Sequence, residues 1–138
     1  MLSNLKNIRN TNDLKDIRRG DIWLVDFGKS DKVTSKQLGM RPAVVIQNNV
    51  GNRYAPTIIV IPLSSNINKA KLPTHVVFTE SDGLQKPSFS MAEQVQTLDK
   101  LDFVKKLSKI TPQTMKRVET SILVSMGMFE SNENVKTS

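Results

Sequence analysis

Apolar residues along this chain gather in short β-branched runs separated by polar stretches. Residues 21–27 (DIWLVDF) read as a strand, and 41–47 (RPAVVIQ) and 57–63 (TIIVIPL) are near-continuously apolar. That is the pattern of strands covered on both faces. Between the second and third runs, residues 48–52 (NNVGN) tolerate positive φ, which predicts a hairpin turn. Residues 75–79 read as another short strand, 81–83 (SDG) as a turn, 88–98 as one further strand and 101–107 as a short helical turn. The clearest helix is the last element. Thr111 suits the N-cap and Pro112 the first helical position; Met115, Val118, Ile122 and Met126 follow at three- and four-residue steps, and Gly127 suits the stop. Residues 28–39 are too polar for a strand and long enough to form a functional loop. Residues 1–18 show loosely spaced apolar positions and predict a short helix or an arm. Many short strands with one terminal helix predict a mainly β (α+β) domain, a strongly bent sheet forming a small barrel closed by helices.

Length and composition narrow the function classes. The 138 residues make one domain of ordinary size, with no cysteine and a single histidine. Disulfide frameworks, cysteine-ligated zinc and thiol catalysis are therefore excluded. No run is apolar and long enough for a membrane-spanning helix, and the N-terminus lacks the apolar block of a signal peptide, so a soluble cytoplasmic protein is expected. The net charge of +7 is unevenly placed: residues 1–71 carry 12 basic and 5 acidic side chains, whereas residues 72–138 carry 8 of each. A polyanion such as nucleic acid would be steered to such a surface, although a lysine-rich face can also serve solubility alone.

Candidate chemistry is reached largely by elimination. One histidine within LPTHVVF reads as a packed structural residue, and it cannot run a two-histidine cleavage of RNA. No phosphate-cradling glycine loop, serine-triad signature or carboxylate metal loop is present. Arg41 and Ser64 remain. If 41–47 pairs antiparallel with 57–63, the start of one strand lies beside the end of the other. A guanidinium and a hydroxyl would then meet at one rim of the sheet. Together they could grip a phosphodiester and stabilise charge developing on it, with the RNA 2′-hydroxyl as nucleophile. On pairing alone, a simpler account also holds: Arg41 pairs with a surface carboxylate while Ser64 caps the next turn.

Several segments from about Arg19 to Met128 carry a more specific signal: RRGDIWLVDF, RPAVVIQNNVGNRYAPTIIVIPLSS, KAKLPTHV and AEQVQTLDK. With these the sequence resembles the MazF/PemK (Kid-like) toxin endoribonucleases of type II toxin–antitoxin systems. The resemblance implies an SH3-like β-barrel with a C-terminal helix, usually a homodimer. It implies metal-independent, cofactor-free cleavage of single-stranded RNA at short sequences, leaving a 2′,3′-cyclic phosphate and a 5′-hydroxyl. It also implies a cognate antitoxin with an acidic, flexible tail. Arg41 matches the family's catalytic arginine, and Ser64 falls where the family usually has a catalytic threonine. Candidate RNA contacts are Lys36, Gln37, Asn48, Arg53, Ser65 and Gln94. Two departures stand out. Lys36 occupies a position where many members have a glutamate proposed as a base, so either that glutamate is dispensable or this chain is a weakened enzyme. Gln96 replaces a common arginine. On this reading residues 1–18 are an extension, 19–128 the toxin domain and 129–138 a polar tail. The competing expectations are a gyrase-binding toxin of the CcdB type, which shares the fold without cutting nucleic acid, and a catalytically weakened RNA binder.

Overall fold

The structure, a computed structural model, describes residues 15–30, 32, 36–69 and 72–130. Strands β1 (Asp21–Asp26), β2 (Met40–Val45) and β3 (Thr57–Ser64) form its centre. They are followed by β4 (His75–Phe78), β5 (Ser88–Met91), β6 (Gln96–Asp99) and β7 (Phe103–Lys109). A short helix α1 (Asn49–Tyr54) joins β2 to β3, and α2 (Pro112–Ser125) ends the described fold. All pairing is antiparallel, in the order β4-β5-β3-β2-β1-β7, with β6 added to β3. The mainly β architecture with a C-terminal helix is the one expected from the sequence. No helix among the described residues is long and apolar enough to cross a membrane.

The continuous apolar runs have a direct cause: β1, β2 and β3 bury both faces. Trp23, Val25, Ala43, Val45, Ile58 and Val60 point into one cluster, closed by Leu98 of β6 and Phe103 of β7. Their neighbours Ile22, Val44, Ile61 and Leu63 point into a second, covered by Val76 and Phe78 of β4 and by Val118 of α2. Alternation is present, but both alternating sets are apolar.

Prolines shape the middle of the sheet. One edge of β3 is shared, β6 pairing with Thr57–Val60 and β5 with Leu63 and Ser64. Pro62 lies between these ladders, where a missing N–H costs least. On the other edge the β2–β3 ladder runs from Val45↔Val60 to Ala43↔Pro62 and stops there. The residue before Ala43 is Pro42, which brings no N–H donor to the next pairing position with β3. The strands separate.

Between β4 and β7, the ends of the pairing path, one side chain forms the seam. Asp82 is buried, and its carboxylate accepts the Thr79 N–H at 3.1 Å and the Thr111 N–H at 3.0 Å, while its carbonyl accepts the Ser108 hydroxyl at 2.9 Å. Gly83 follows at φ +81°, and a Cβ there would lie 2.6 Å from the Ser108 Cβ. Both the backbone conformation and the space require glycine.

Three local expectations are corrected. The segment 48–52 is not a tight positive-φ turn: Asn48 caps α1 by accepting the Gly51 N–H at 2.8 Å, and no residue of the segment has positive φ. Gly51 leaves room for Gln47, since a Cβ would approach the Gln47 amide nitrogen to 3.0 Å and press on a side chain that bonds Asn52 and Thr57. Residues 88–98 are not one strand but β5 and β6, separated by a 3-10 turn at Ala92–Gln94. Residues 101–107 are not helical; after a 3-10 turn at Lys100–Asp102 they enter β7, which pairs with β1 through two register shifts. Those shifts interrupt the strand alternation that would have identified it. The α2 expectation holds, with Thr111 accepting the Thr114 N–H at 3.1 Å and Pro112 opening the helix. Of the N-terminal segment, residues 15–18 carry no helix and bury Ile17 in the first cluster; the remainder lies outside the described residues.

Candidate functional site

Where β2 and β3 separate, a cleft of about 250 Å³ opens. Its walls are Met40, Arg41 and Pro42 of β2, Leu63 and Ser64 of β3 with Ser65, and part of the β4–β5 connection. Continuing the β2–β3 register two residues beyond Ala43↔Pro62 sets Arg41 opposite Ser64. The guanidinium and the hydroxyl expected at one rim therefore line one cavity.

Arg41 is half-buried, and its Nε donates to the Leu38 carbonyl at 2.9 Å. This bond holds the side chain at the cleft. Among the described residues no carboxylate pairs with Arg41, and none of them supplies the partner that the simpler account requires. That account holds in part for the serine: the Ser64 oxygen accepts the Asn66 N–H at 3.2 Å. That bond uses a lone pair and orients the hydroxyl, leaving its hydrogen as a donor.

The end of the long loop is tied to the same region. The Gln37 N–H donates to the Gln94 side-chain oxygen at 2.8 Å, and Leu38, next in sequence, holds Arg41. Gln37, Gln94 and Arg41 thus form one connected group. Lys36, exposed, immediately precedes it. The Gln37 side-chain oxygen is buried and has no hydrogen-bond partner among the described residues. Gln96 pairs with Val60 in the β3–β6 ladder, its amide nitrogen buried and also without a partner among them.

Asn48 and Arg53 are not part of this group. Both lie beyond the far end of the β2–β3 ladder, where Asn48 caps α1 and the Arg53 guanidinium lies 5.5 Å from the centre of the Tyr54 ring. Arg53 and Tyr54 border a larger cavity, about 710 Å³, together with Lys15, Arg18 and Lys100. Its cations are mostly committed: Lys15 to the Lys100 and Phe103 carbonyls, Lys100 to the Arg53 carbonyl, and Arg18 to Asp16. Burial lowers the Lys15 pKa below its ordinary value despite the nearby Asp102. Charge committed to the fold is not offered to a ligand, and the smaller cleft is the better candidate.

His75 is structural, as its sequence context suggests. Its Nδ1 accepts the Leu72 N–H at 3.4 Å, its Nε2 meets the Glu93 carboxylate at 2.9 Å, and its ring packs on Phe89. Thr74 donates to the other Glu93 oxygen at 2.5 Å. Burial works against the Glu93 charge, but the bonds from Thr74 and His75 outweigh it and hold the carboxyl below its usual range. Among the described residues no group of three or more histidines or carboxylates is placed to hold a metal ion.

Sequence reasoning missed the cleft's third wall, Leu84, Gln85, Lys86 and Ser88. Nothing local in SDGLQKPS marks these residues; the Asp82 seam and the β4–β5 pairing bring them to the cleft.

The antiparallel sheet ends in a helix and carries a cationic cleft at the open end of its central ladder. Residues 18–126 match the family described as PemK-like, MazF-like toxin of type II toxin-antitoxin system. An Endoribonuclease MazF of Staphylococcus saprophyticus is 44% identical over 113 residues, covering 81% of this chain and 92% of that protein. Two solved structures share the fold. An endoribonuclease in complex with its cognate antitoxin, from a mycobacterial species, has a TM-score of 0.69 at 24% identity, covering 83% of this chain and 99% of that one. MazF from Deinococcus radiodurans has a TM-score of 0.68 at 18% identity, covering 81% and 97%. The chain belongs to the PemK-like, MazF-like toxin family.

Proposed function

We propose that this protein is the toxin of a type II toxin–antitoxin pair and an endoribonuclease that cleaves single-stranded RNA by internal transesterification. The observation that carries the reading is the shared cleft of Arg41 and Ser64, with an arginine that no carboxylate among the described residues neutralises. The Staphylococcus relative, named an endoribonuclease, supports the same activity.

In the proposed reaction the RNA 2′-oxygen attacks the adjacent phosphorus. A 2′-O–P bond forms, the P–O5′ bond breaks, and one proton passes in net from the 2′-hydroxyl to the 5′-oxygen. No water is consumed, and the products are a 2′,3′-cyclic phosphate and a 5′-hydroxyl. Arg41 offers its remaining N–H donors to the non-bridging oxygens, where negative charge grows as phosphorus becomes five-coordinate. Ser64 adds a directional donor from the other wall, with Ser65 beside it. Because the substrate carries its own nucleophile, the chain needs neither a metal nor a cofactor for this step. Lys36 and the Gln37–Gln94 pair extend the contact surface along the RNA, Lys36 to a phosphate and Gln37 to a base edge. The partners in this reading are a cognate antitoxin, whose acidic tail complements the cationic cleft, and a second copy of the chain in a homodimer. Arg53 and Asn48 contribute to the fold around α1 and, on this reading, not to the cleaved phosphate.

The decisive experiment incubates the purified protein, with EDTA, on a long unstructured RNA and on DNA of the same sequence. Cleavage of RNA alone, leaving 2′,3′-cyclic phosphate and 5′-hydroxyl ends, is the expected result. Intact RNA, or cleavage that requires added divalent metal, would overturn the reading.

A further inference from the structure

The cleft contains a second cation that the sequence did not disclose. Of the described residues lining it, Arg41 and Lys86 are the charged ones; both are positive, and no carboxylate is among them. Lys86 is exposed and has no ion-pair partner among the described residues. Its backbone is nonetheless well held. Ser88 donates its hydroxyl to the Lys86 carbonyl at 3.2 Å, and Pro87 fixes φ at the next position. Three residues upstream, Gly83 leaves the buried Asp82 in a left-handed conformation that other residues rarely adopt, with no room for a side chain against Ser108. The connection is therefore a positioned wall.

One cation suffices for one phosphodiester. A second, on another wall of the same cleft, suits a chain that carries one negative charge per nucleotide. We propose that Lys86 is a substrate-binding residue that grips the RNA phosphate adjacent to the one cleaved at Arg41 and Ser64. Leu84 and Met40 supply the apolar surface against which the intervening nucleotide rests. This assignment rests on the RNA-cleaving reading. It adds that the cleft spans two consecutive phosphates and that the β4–β5 connection sets the path of the strand.

The test uses the full chain and an RNA that the wild-type protein is first shown to cut, together with its 2′-O-methyl form, which binds without being cleaved. Binding is measured across a salt series. Each phosphate contact to single-stranded nucleic acid contributes about 0.7 to the slope of log K against log salt. Lys86→Ala should lower the slope by about 0.7, equivalent to roughly fivefold weaker binding at 0.1 M salt. KM should rise in proportion while kcat stays within about twofold, and Lys86→Arg should restore both slope and KM, a recovery that a purely structural role does not predict. Wild-type cleavage combined with an unchanged slope and KM in Lys86→Ala would overturn the Lys86 assignment and leave the nuclease reading standing. Failure of the wild-type protein to cut RNA would overturn both.

Discussion

The two ends of the β2–β3 ladder are built from similar materials and put them to opposite uses. At the α1 end polar side chains are consumed internally. Asn52 is buried, donates to the Gln47 carbonyl at 2.9 Å and to the Asn49 side chain at 3.0 Å, and accepts from the Gln47 amide at 3.2 Å. Arg19 there donates to the Ile46 carbonyl and pairs with Glu119 at 2.8 Å. At the other end the ladder stops before Pro42, and among the described residues Arg41 spends one donor, on the Leu38 carbonyl, beside a cleft. A cation already paired stabilises the fold; one left unpaired in a concave site is available to a ligand. The difference lies in the partners, not in the residue type.

The strongest way to break this contrast is Arg41→Ala. Cleavage should fall by at least about 10²–10³-fold, the loss typical of one preorganised transition-state donor, while stability falls by only about 1 kcal/mol, the worth of the bond to Leu38. Near wild-type cleavage with unchanged RNA affinity would remove Arg41 from the chemistry. Ser64→Ala comes next, with a loss toward the low end of the same range, about 10²-fold, because Ser65 lies alongside. Ser64→Thr, which keeps the hydroxyl, should retain activity; equal rates for Ala and Thr at this position would assign the donor elsewhere.

Asn52→Ala probes the α1 end. It strands buried partners and should cost about 1–3 kcal/mol of stability in a denaturant titration, with kcat of the folded protein unchanged within about twofold. A selective loss of kcat at full stability would mean that the two ends are not functionally separate. Lys36→Glu has the smallest expected effect. It should weaken RNA binding and lower the salt slope by about 0.7, one phosphate contact. Faster cleavage at equal affinity would instead show that a carboxylate base is missing from the native chain.

The sequence made the open end legible and obscured the closed one. An arginine before the first run and serines after the second are local marks, and antiparallel pairing brings them together. At the other end, Asn and Gly were equally compatible with a positive-φ turn and with a capped helix; Asn48 and the close approach of Gln47 to Gly51 decided for the helix. The strand β7 escaped notice because it is mostly exposed and pairs through two register shifts, so FVKKLSK shows no clean alternation. Lys86 had no local mark at all. Its place in the cleft depends on a buried carboxylate that joins segments 29 residues apart in sequence.

That carboxylate also imposes a rule of valence on the chain. Two backbone hydrogens, from Thr79 and Thr111, converge on Asp82, and each takes a separate oxygen. Asparagine would bring one acceptor and turn a donor toward a donor. Glutamate would bring both acceptors on a stem one methylene longer, moving them off the positions where these two N–H groups meet them. Most positions of this sheet specify a polarity or a volume and admit several residues, whereas this one specifies a stoichiometry. A single letter thereby sets where the last strand hands over to the helix and where the third wall of the cleft begins.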